Sequence, residues 1–332
     1  MNAHTSDLRP LVEADGRVVT LVIPAPSSNA DAAHRFDVER GNLMKQMSSE
    51  WSDEEIAELD ARLAELPHDA GDAVIVVHRQ GGPTHVEFIA NGVERGRLDE
   101  GPLPRLAPLI EARQRTVAHV VVAADLAGAD ITAFDGGAVV ATEDVDGETE
   151  HIHRGHPGGW SQRRFQQRAE NTWETNANDV ADAAARLCSS TGARLVAVVG
   201  PTRAQSMVVE ALEERVDIPV AKIEAGDVDS AADEITRLTA DVAATDTKQL
   251  IEAVREGVGT GRSSTSHKQL MEALEQGRVE TLLVHDDADA DADGDDRLVD
   301  QAIAAALTTD ASIHVVPNVS LLDDGVAALL RW

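Results

Sequence analysis

The most constraining feature of the sequence is one apolar stripe that runs through residues 161–188. Apolar side chains recur there at steps of three and four residues, which is the spacing of one helix face. They are Phe165, Ala169, Trp173, Ala177, Val180, Ala184 and Leu187. The apolar run ARLVAVVGP follows directly and is typical of a buried strand. A long helix that leads into a buried strand indicates an α/β fold.

Helix and strand patterns alternate along the rest of the chain, so the sequence predicts a multidomain α/β protein. We predict an N-terminal domain over 1–113, a central domain over 117–242 and a C-terminal α/β/α sandwich over 243–332. In the first domain, SDEEIAELDARLAEL predicts a helix whose capping box is formed by Ser52 and Glu55. The central domain is expected to open with a meander of strands before the long helix.

The chain is strongly acidic, with 59 Asp and Glu, 29 Lys and Arg, and a formal net charge of −30. Four of the cations are lysines, and the chain has no Tyr. An acid excess with few lysines is typical of a cytosolic protein from a salt-loving organism, where a Debye length of about 3 Å at about 1 M salt screens self-repulsion. We therefore interpret the acidity as a solubility adaptation that says little about binding partners.

The sequence shows no sign of membrane insertion or secretion. It has no run of about 18 apolar residues, and its first residues lack a basic region followed by an apolar core. The one cysteine, Cys188, excludes an internal disulfide and a Cys-based zinc cluster and suits a reducing cytosol. We predict a cytoplasmic protein that has no membrane partner and no cofactor.

One segment departs from this acidic composition. Residues 151–171, HIHRGHPGGWSQRRFQQRAEN, contain three His, four Arg and three Gly, and no acid precedes Glu170. The Pro-Gly-Gly sequence at 157–159 interrupts regular structure and predicts a loop tip. Ser161 is predicted to be the N-cap of the long helix. The loop would then lie at a helix N-terminus, where free backbone N–H groups and the helix dipole favour anions.

Arginines dominate the predicted start of this helix. Arg163 and Arg164 fall in its first turn, where a cation opposes the helix dipole, so helix stability does not explain them. Guanidinium groups pair with phosphate oxygens, and Trp160 is suited to stack on a base. The alternative is an ordinary surface loop whose Trp packs on its own domain. The predicted RNA or ribosome contacts are His153, Arg154, His156, Gly158, Gly159, Trp160, Ser161, Gln162, Arg163, Arg164 and Arg168.

The stretch from HRGHPGGWSQRRFQQRAEN to ARLVAVVGP resembles the central domain of the archaeal and eukaryotic class 1 release factors and their relative Pelota. Those release factors carry a Gly-Gly-Gln tip followed by Ser, an Arg-Phe pair, a long helix and a strand that ends in Gly-Pro. The matching residues here are Gly158, Gly159, Ser161, Arg164, Phe165, Gly200 and Pro201. LMEALEQGRVETLLVHDD resembles the C-terminal domain of the same family, which implies a sandwich of ribosomal-protein type. The resemblance covers about 118–332.

The chain departs from the decoding release factors at two places. Trp160 replaces the tip glutamine, and the nearest Gln is Gln162, after the serine. The first segment is divergent and lacks the Asn-Ile-Lys-Ser and Tyr-Cys-type codon-reading motifs, so stop-codon recognition is not expected. The remaining pattern resembles the prokaryotic branch of the superfamily, which includes the ribosome hibernation factor Balon. That resemblance implies occupancy of the ribosomal A site without decoding, and a translational GTPase of the elongation factor Tu or one alpha type as a partner.

Two functional hypotheses follow, from different classes. The first is a non-enzymatic hibernation factor that places its 155–168 loop near the peptidyl-transferase centre, on rRNA of the large subunit. The second is a peptidyl-tRNA hydrolase that rescues stalled ribosomes, in which Gln162 orients water for ester cleavage. An RNA-binding module unrelated to translation is a third alternative.

Three other motifs have ordinary explanations. Asp289, Asp291 and Asp293 fall on positions 1, 3 and 5 of a calcium-loop template, but position 12 is Asp instead of Glu, and we favour a solvated acidic insertion over 286–296. The histidines of the 151–156 stretch have Arg neighbours and no nearby acid or Cys, so we expect no metal there. The Gly/Ser-rich segment 259–268, GTGRSSTSHK, lacks the Gly-Lys-Ser/Thr of a phosphate-binding loop.

Overall fold

The computed structural model describes residues 5–90, 92–147, 160–225, 227–285, 297–322 and 325–332, and within these ranges it does not describe the side chains of 6, 160–166, 168 and 229. The described chain contains three β-sheets and divides into two compact units. Residues 1–114 and 247–332 form the first unit, and residues 115–246 form the second. The predicted multidomain α/β class is confirmed. The three-domain division stays a prediction, and its first and third segments share one unit.

The first segment forms a four-stranded antiparallel sheet in the order β3-β2-β1-β4. Its strands are β1 (Val18–Pro24), β2 (Ala73–Arg79), β3 (Thr84–Ile89) and β4 (Arg97–Gly101). Its helices are a 3-10 turn (Ser6–Leu8), α1 (Arg9–Glu13), α2 (Ala30–Met44), α3 (Asp53–Ala64) and α4 (Ala107–Arg115). The predicted capping box of α3 is confirmed, because the Ser52 Oγ accepts a hydrogen bond from the Glu55 N–H and the Glu55 carboxylate accepts one from the Ser52 N–H.

The second unit is built on a five-stranded sheet in the order β7-β6-β5-β8-β9. Its strands are β5 (His119–Ala124), β6 (Gly128–Asp135), β7 (Ala138–Asp146), β8 (Val196–Val199) and β9 (Val220–Lys222), and its helices are α5 (Trp160–Thr191), α6 (Thr202–Glu213) and the greater part of α7 (Val228–Gly257). The predicted meander is confirmed as β5–β7, and β8 and β9 add in parallel. Because strand side chains alternate, Val120 and Val122 pack with α5 and α6, whereas Val121 packs with α7.

The third segment forms a mixed sheet in the order β10-β13-β11-β12. Its elements are β10 (Ser263–Ser264), α8 (His267–Glu275), β11 (Val279–Val284), α9 (Leu298–Thr308), β12 (Ser312–Val315) and β13 (Val326–Leu330). Leu282 and Val284 pack with α8 and α9 on one face, and Leu283 packs with Ile251 and Val254 of α7 on the other. The predicted α/β/α sandwich is therefore confirmed for this segment.

One core joins the first and third segments. Val18, Val22 and Ile75 of the first sheet belong to one core cluster with residues of α1, α4, α8 and α9 and of the third-segment sheet. An ionic network crosses the same boundary: Arg297 binds Asp99 of β4 at 3.0 Å and Asp300 of α9 at 2.5 Å. The Arg297 and Asp300 side chains are 5% and 4% exposed. Burial of these charged side chains is tolerated because each one has an oppositely charged partner.

The longest helices, α5 and α7, carry many charged residues. Within the described chain no helix is both long enough and apolar enough to cross a bilayer.

Candidate nucleic-acid interface

The candidate loop lies between the end of β7 and the start of α5. Its residues 148–159, which include His153, Arg154, His156, Gly158 and Gly159, fall outside the described part of the chain. The described backbone ends before the loop at Gly147 and resumes at Trp160. The structure therefore defines the two ends from which the loop is held.

The first end is fixed at Gly147. Its backbone N–H donates to the Ala127 carbonyl at 2.6 Å. Asn176 of α5 donates its side-chain amide to the Leu126 carbonyl at 3.0 Å, so the same turn is tied to the helix. A Cβ atom at position 147 would lie 2.4 Å from both the Ala127 oxygen and the Asn176 Cγ, so only glycine fits. The start of the loop is thus locked between a strand turn and the middle of α5.

The second end is the N-terminus of α5. The helix begins at Trp160, with no acidic residue in its first turn. The expectation that Ser161 is the N-cap is therefore wrong, because Trp160 already has helical backbone and Ser161 lies inside the first turn. At 1.5 Å per residue, Trp160 is about 24 Å along the helix axis from Asn176. The second end of the loop, at Trp160, is therefore far from the first end, which Asn176 contacts.

Helical spacing sorts the predicted contact residues onto two sides of α5. Trp160, Arg164 and Gln167 follow one another at steps of four and three, so they share a face, and Gln167 is exposed. Gln162 is displaced from Trp160 by two residues, which is about 200° around the axis. It shares the face of Ala169, which is 1% exposed. By the same spacing, the position of Arg164 is about 160° around the axis from that of Gln162.

The part of α5 that follows these residues is held firmly against α6. Trp173 is 5% exposed, and the Arg203 guanidinium of α6 lies 4.4 Å from the centroid of its ring. Arg203 also donates to the Glu170 carboxylate at 3.2 Å. A cation between an aromatic face and a carboxylate fixes the two helices relative to each other. The part of α5 that follows the arginine-bearing turns is therefore held rigidly.

The strand end that carries the Gly-Pro pair is equally constrained. Gly200 has a φ of +130°, and a Cβ atom there would lie 2.1 Å from the Ala124 carbonyl oxygen at the end of the neighbouring strand β5. Gln205 of α6 is buried and donates to the carbonyls of Val198 and Ile223 at 3.2 and 2.6 Å. These contacts explain why glycine follows β8 and how α6 is seated on the sheet.

Among the described residues, Cys188 is an unreactive thiol. Cys188 is buried, and burial raises the pKa of its thiol to about 11, so it is protonated and a poor nucleophile at neutral pH. No group of three His, Cys, Asp or Glu side chains in the described ranges is arranged to hold a metal ion. The calcium-loop candidates Asp289, Asp291 and Asp293 lie outside those ranges.

The supports of the loop are residues that the sequence does not single out. Asn176 is 2% exposed on the apolar face of α5. A polar residue in such a stripe is a signal for a buried hydrogen bond, but the stripe does not reveal its partner, the Leu126 carbonyl. Arg203 and Gly147 give no local signal, because their roles depend on elements that meet only in the fold.

Comparison with known proteins identifies similarity in this same region. Residues 118–260 match the model of Bacterial archaeo-eukaryotic release factor family 2. The uncharacterized proteins MT2704 and Rv2629, from Mycobacterium tuberculosis strains CDC 1551 / Oshkosh and H37Rv, are each 27% identical to this chain over 303 residues. The alignment covers 83% of this chain and 77% of each relative.

Three solved structures are also similar, at low identity. A model of ribosome-bound archaeal Pelota and ABCE1 has 14% identity and a TM-score of 0.45, covering 100% of this chain and 95% of the other. Archaeoglobus fulgidus Pelota has 15% identity and a TM-score of 0.35 over 78% and 79% of the two chains. The archaeal translation termination factor aRF1 has 16% identity and a TM-score of 0.26 over 98% and 96%. The predicted resemblance to the release-factor superfamily is confirmed for residues 118–260 by the family match, and the narrower resemblance to Balon stays a prediction.

Proposed function

We propose that this protein is a ribosome-binding translation factor of the hibernation type. In this proposal it occupies the ribosomal A site and holds its 155–168 loop near the peptidyl-transferase centre, where it blocks substrate access. The observation that carries the proposal is the start of α5 at Trp160 with an acid-free, arginine-bearing first turn, directly after a Gly-rich loop.

The way the loop is held supports a role at a distant, confined site. One end is locked at Gly147, and the other is at the tip of a long helix whose later turns are fixed to α6 by Trp173 and Arg203. Rigid attachment of both ends lowers the conformational entropy that is lost when a loop enters a narrow binding site. Such attachment favours insertion into a cavity over contact with a flat surface.

The electrostatics of the loop support an RNA partner. The chain carries a formal charge of −30, yet four arginines lie between residues 154 and 168 and no acid lies between 151 and 169. Free N–H groups at the helix N-terminus favour the same anionic ligand as the guanidinium groups. At high salt only contacts at short range retain strength, so cations concentrated at one tip are the arrangement expected for rRNA phosphates.

The helix faces favour blocking over hydrolysis. By position along the helix, Trp160 and Arg164 are four residues apart, whereas Gln162 is seven residues before buried Ala169 and about 200° around the axis from Trp160. In the hydrolase alternative Gln162 would have to orient water at the ester that the loop tip approaches. As a partner for delivery we propose a translational GTPase of the elongation factor Tu or one alpha type, on the basis of the sequence resemblance.

Co-sedimentation with ribosomes tests the proposal. The parent protein is expected to sediment with ribosomes from stationary-phase cells, and Arg163→Glu with Arg164→Glu is expected to abolish this, because two phosphate contacts become repulsions. A matched control changes the exposed Arg35 and Arg95 of the first unit to Glu, which alters the net charge equally. If the loop variant sediments like the control, the loop is not the anchor and the proposal is wrong.

Release of labelled peptide from ribosome-bound peptidyl-tRNA separates the hydrolase alternative. The blocking proposal expects no release above background from the parent protein. Turnover that disappears in Gln162→Ala and persists in Gln167→Ala, an exposed residue of the same helix, would instead establish an enzyme.

A further inference from the structure

We propose that the first unit carries a second RNA-binding surface, separate from the loop. It is formed by Arg262, Arg278, Arg331 and Trp332, which we call the arginine edge. The inference rests on the proposed function for the identity of the RNA as rRNA, but the chemistry of the surface is independent of it. It also gives a role to the Gly/Ser-rich segment 259–268, which is not a phosphate-binding loop.

The arginine edge is assembled from three adjacent chain segments. The Leu330 N–H donates to the Arg262 carbonyl at 2.9 Å, and the Arg331 N–H donates to the Arg278 carbonyl at 2.8 Å. The segment that ends β13 therefore lies between those that precede β10 and β11. Each of the three segments contributes one arginine at the same end of the sheet, although α8 separates the first two along the chain and α9 separates the last two.

The three guanidinium groups have no carboxylate partner within 4 Å among the described residues. Arg331 donates to the carbonyls of Gly277 and Asp310 at 3.2 and 3.1 Å, and Arg278 donates to the Gln276 side-chain oxygen at 2.8 Å. These acceptors are neutral, so they orient the cations without cancelling their charge. By contrast, Arg255 on α7 binds the Glu252 carboxylate at 2.6 Å.

The acid whose backbone contacts Arg331, Asp310, has its carboxylate beside another arginine. The Asp310 carboxylate lies 3.8 Å from Arg9, and Arg331 contacts only its backbone oxygen. Carboxylate pairing is the usual state of arginine in this chain, as in Arg186–Glu143 and Arg215–Asp182. Three gathered arginines that lack such pairing keep a local positive charge in a strongly acidic protein.

The shape and chemistry of the surface favour RNA over an acidic protein. Trp332 is 72% exposed beside the arginines, and an exposed indole next to guanidinium groups is suited to base stacking and phosphate contact together. At Gly259 and Gly261, beside Arg262, no atom lies within 4 Å of the Cβ position. Bare backbone there leaves room for a bulky sugar-phosphate chain to approach the main-chain N–H groups.

The test compares binding of a labelled single-stranded RNA of about 20 nucleotides to the full chain by fluorescence anisotropy over a KCl series. Arg262→Glu with Arg278→Glu is the main variant, because the described contacts of these side chains are limited to the Gln276 hydrogen bond. Its affinity is expected to fall about tenfold or more. The slope of log affinity against log salt is expected to decrease by about 1.4, since each phosphate contact to a single strand contributes about 0.7.

Arg35→Glu with Arg95→Glu is the matched control, with the same charge change at exposed sites of the same unit. Trp332→Ala is expected to weaken binding about fivefold or more through lost stacking. Equal affinity and equal slope in the main variant and the control overturn the inference. So does binding of polyglutamate, but not RNA, that depends on Arg262 and Arg278, because that outcome identifies an acidic protein partner.

The two proposals fail separately. A parent protein that does not sediment with ribosomes, but whose RNA affinity depends on the arginine edge, contradicts only the proposed function. A parent protein that sediments with ribosomes and whose RNA affinity is insensitive to the edge contradicts only this inference.

Discussion

The two units of the molecule use ion pairs in different ways. In the second unit, pairs such as Arg186–Glu143, Arg194–Asp246 and Arg215–Asp182 involve side chains that are at least 20% exposed. The first unit also buries charge, with Arg105 at 2% and Arg297 at 5% exposure, both paired with Asp99. The buried pairs connect residues up to 198 positions apart. The buried Arg297–Asp99 pair thus helps to specify how two distant segments assemble. The exposed pairs lie on the surface of a core that aliphatic packing already defines.

This difference has a physical basis. Exposed pairs contribute about 0–1 kcal/mol, because water and salt screen them. A buried charge that loses its partner remains desolvated without compensation, which costs about 3–5 kcal/mol. A misassembled first unit would deprive the buried Arg297 of Asp99 and leave it only the neighbouring Asp300 as a partner. The network therefore discriminates against wrong packing more than it stabilises the right one.

The largest effect is expected from the buried network. Replacing Asp300 with Ala leaves the buried Arg297 with fewer compensating charges and is expected to lower the free energy of unfolding of the first unit by about 3–5 kcal/mol. Hydrogen exchange measured by mass spectrometry on peptides of each unit checks this, because it separates the stability of the two units. The control Glu252→Ala breaks the exposed pair with Arg255 and is expected to change exchange little. A loss below about 1 kcal/mol for Asp300→Ala would remove the distinction drawn between the units.

An intermediate effect is expected from a half-buried cluster of the first unit, in which Arg113 binds Glu87 and Asp7 at 2.5 and 2.7 Å. Burial of Glu87 opposes its ionisation, but hydrogen bonds from Arg113 and His85 outweigh burial and hold its pKa at about 2. The folded pKa is below the ordinary value of 4.5, so the stabilisation is complete above about pH 4.5 and is lost as the pH falls toward 2.

Replacing Glu87 with Gln is therefore expected to destabilise the protein by about 1–2 kcal/mol at pH 7, since a hydrogen-bonded carboxylate is lost. The difference from the parent should shrink steadily between pH 4.5 and 2. Urea unfolding at a series of pH values measures this. Glu143→Gln, in the exposed pair of the second unit, is the comparison variant. A difference for Glu87→Gln that does not depend on pH would contradict the assigned role of the carboxylate.

The smallest effect is expected at the surface of the second unit. Arg186 is 65% exposed and its partner Glu143 is 36% exposed. Arg186→Ala should lower the free energy of unfolding by about 0.2–0.5 kcal/mol at low salt, and the difference should vanish at about 1 M KCl, where the Debye length is about 3 Å. Thermal unfolding of parent and variant across a KCl series measures both quantities. A larger loss that persists at high salt would show that surface pairs in this unit are structural.

Local patterns in the sequence predict much of this fold. The capping box at Ser52 and the apolar stripe of α5 are correct because each depends on residues within one or two turns of one another. The helix α2 is not predicted, since its buried residues are few and cluster near its end, at Leu43 and Met44. The strand β13 is not predicted either, because AALL carries no alternation. The error at Ser161 is one of boundary, where a serine inside the first turn resembles a cap.

The parts that sequence reasoning misses are those that depend on distant contacts. The shared core of the first and third segments and the Asp99–Arg297 pair have no local pattern, because their members meet only after the chain has folded. The same is true of the arginine edge, whose three arginines come from three segments of one sheet. For the loop, the sequence predicts the contact residues. The contacts that hold its two ends, made by Gly147, Asn176 and Arg203, are seen only in the structure.

The state of Cys188 has a practical consequence. A thiol with a pKa of about 11 is almost entirely protonated at pH 7 and is buried, so it reacts slowly with maleimides and other alkylating reagents. Since it is the one cysteine of the chain, a cysteine introduced at exposed Gln167 or Arg262 would be labelled selectively without removing Cys188 first. The native protein is therefore already suited to carrying a single fluorophore or a tethered RNA-cleaving reagent, which would report directly on what lies beside the loop and beside the arginine edge.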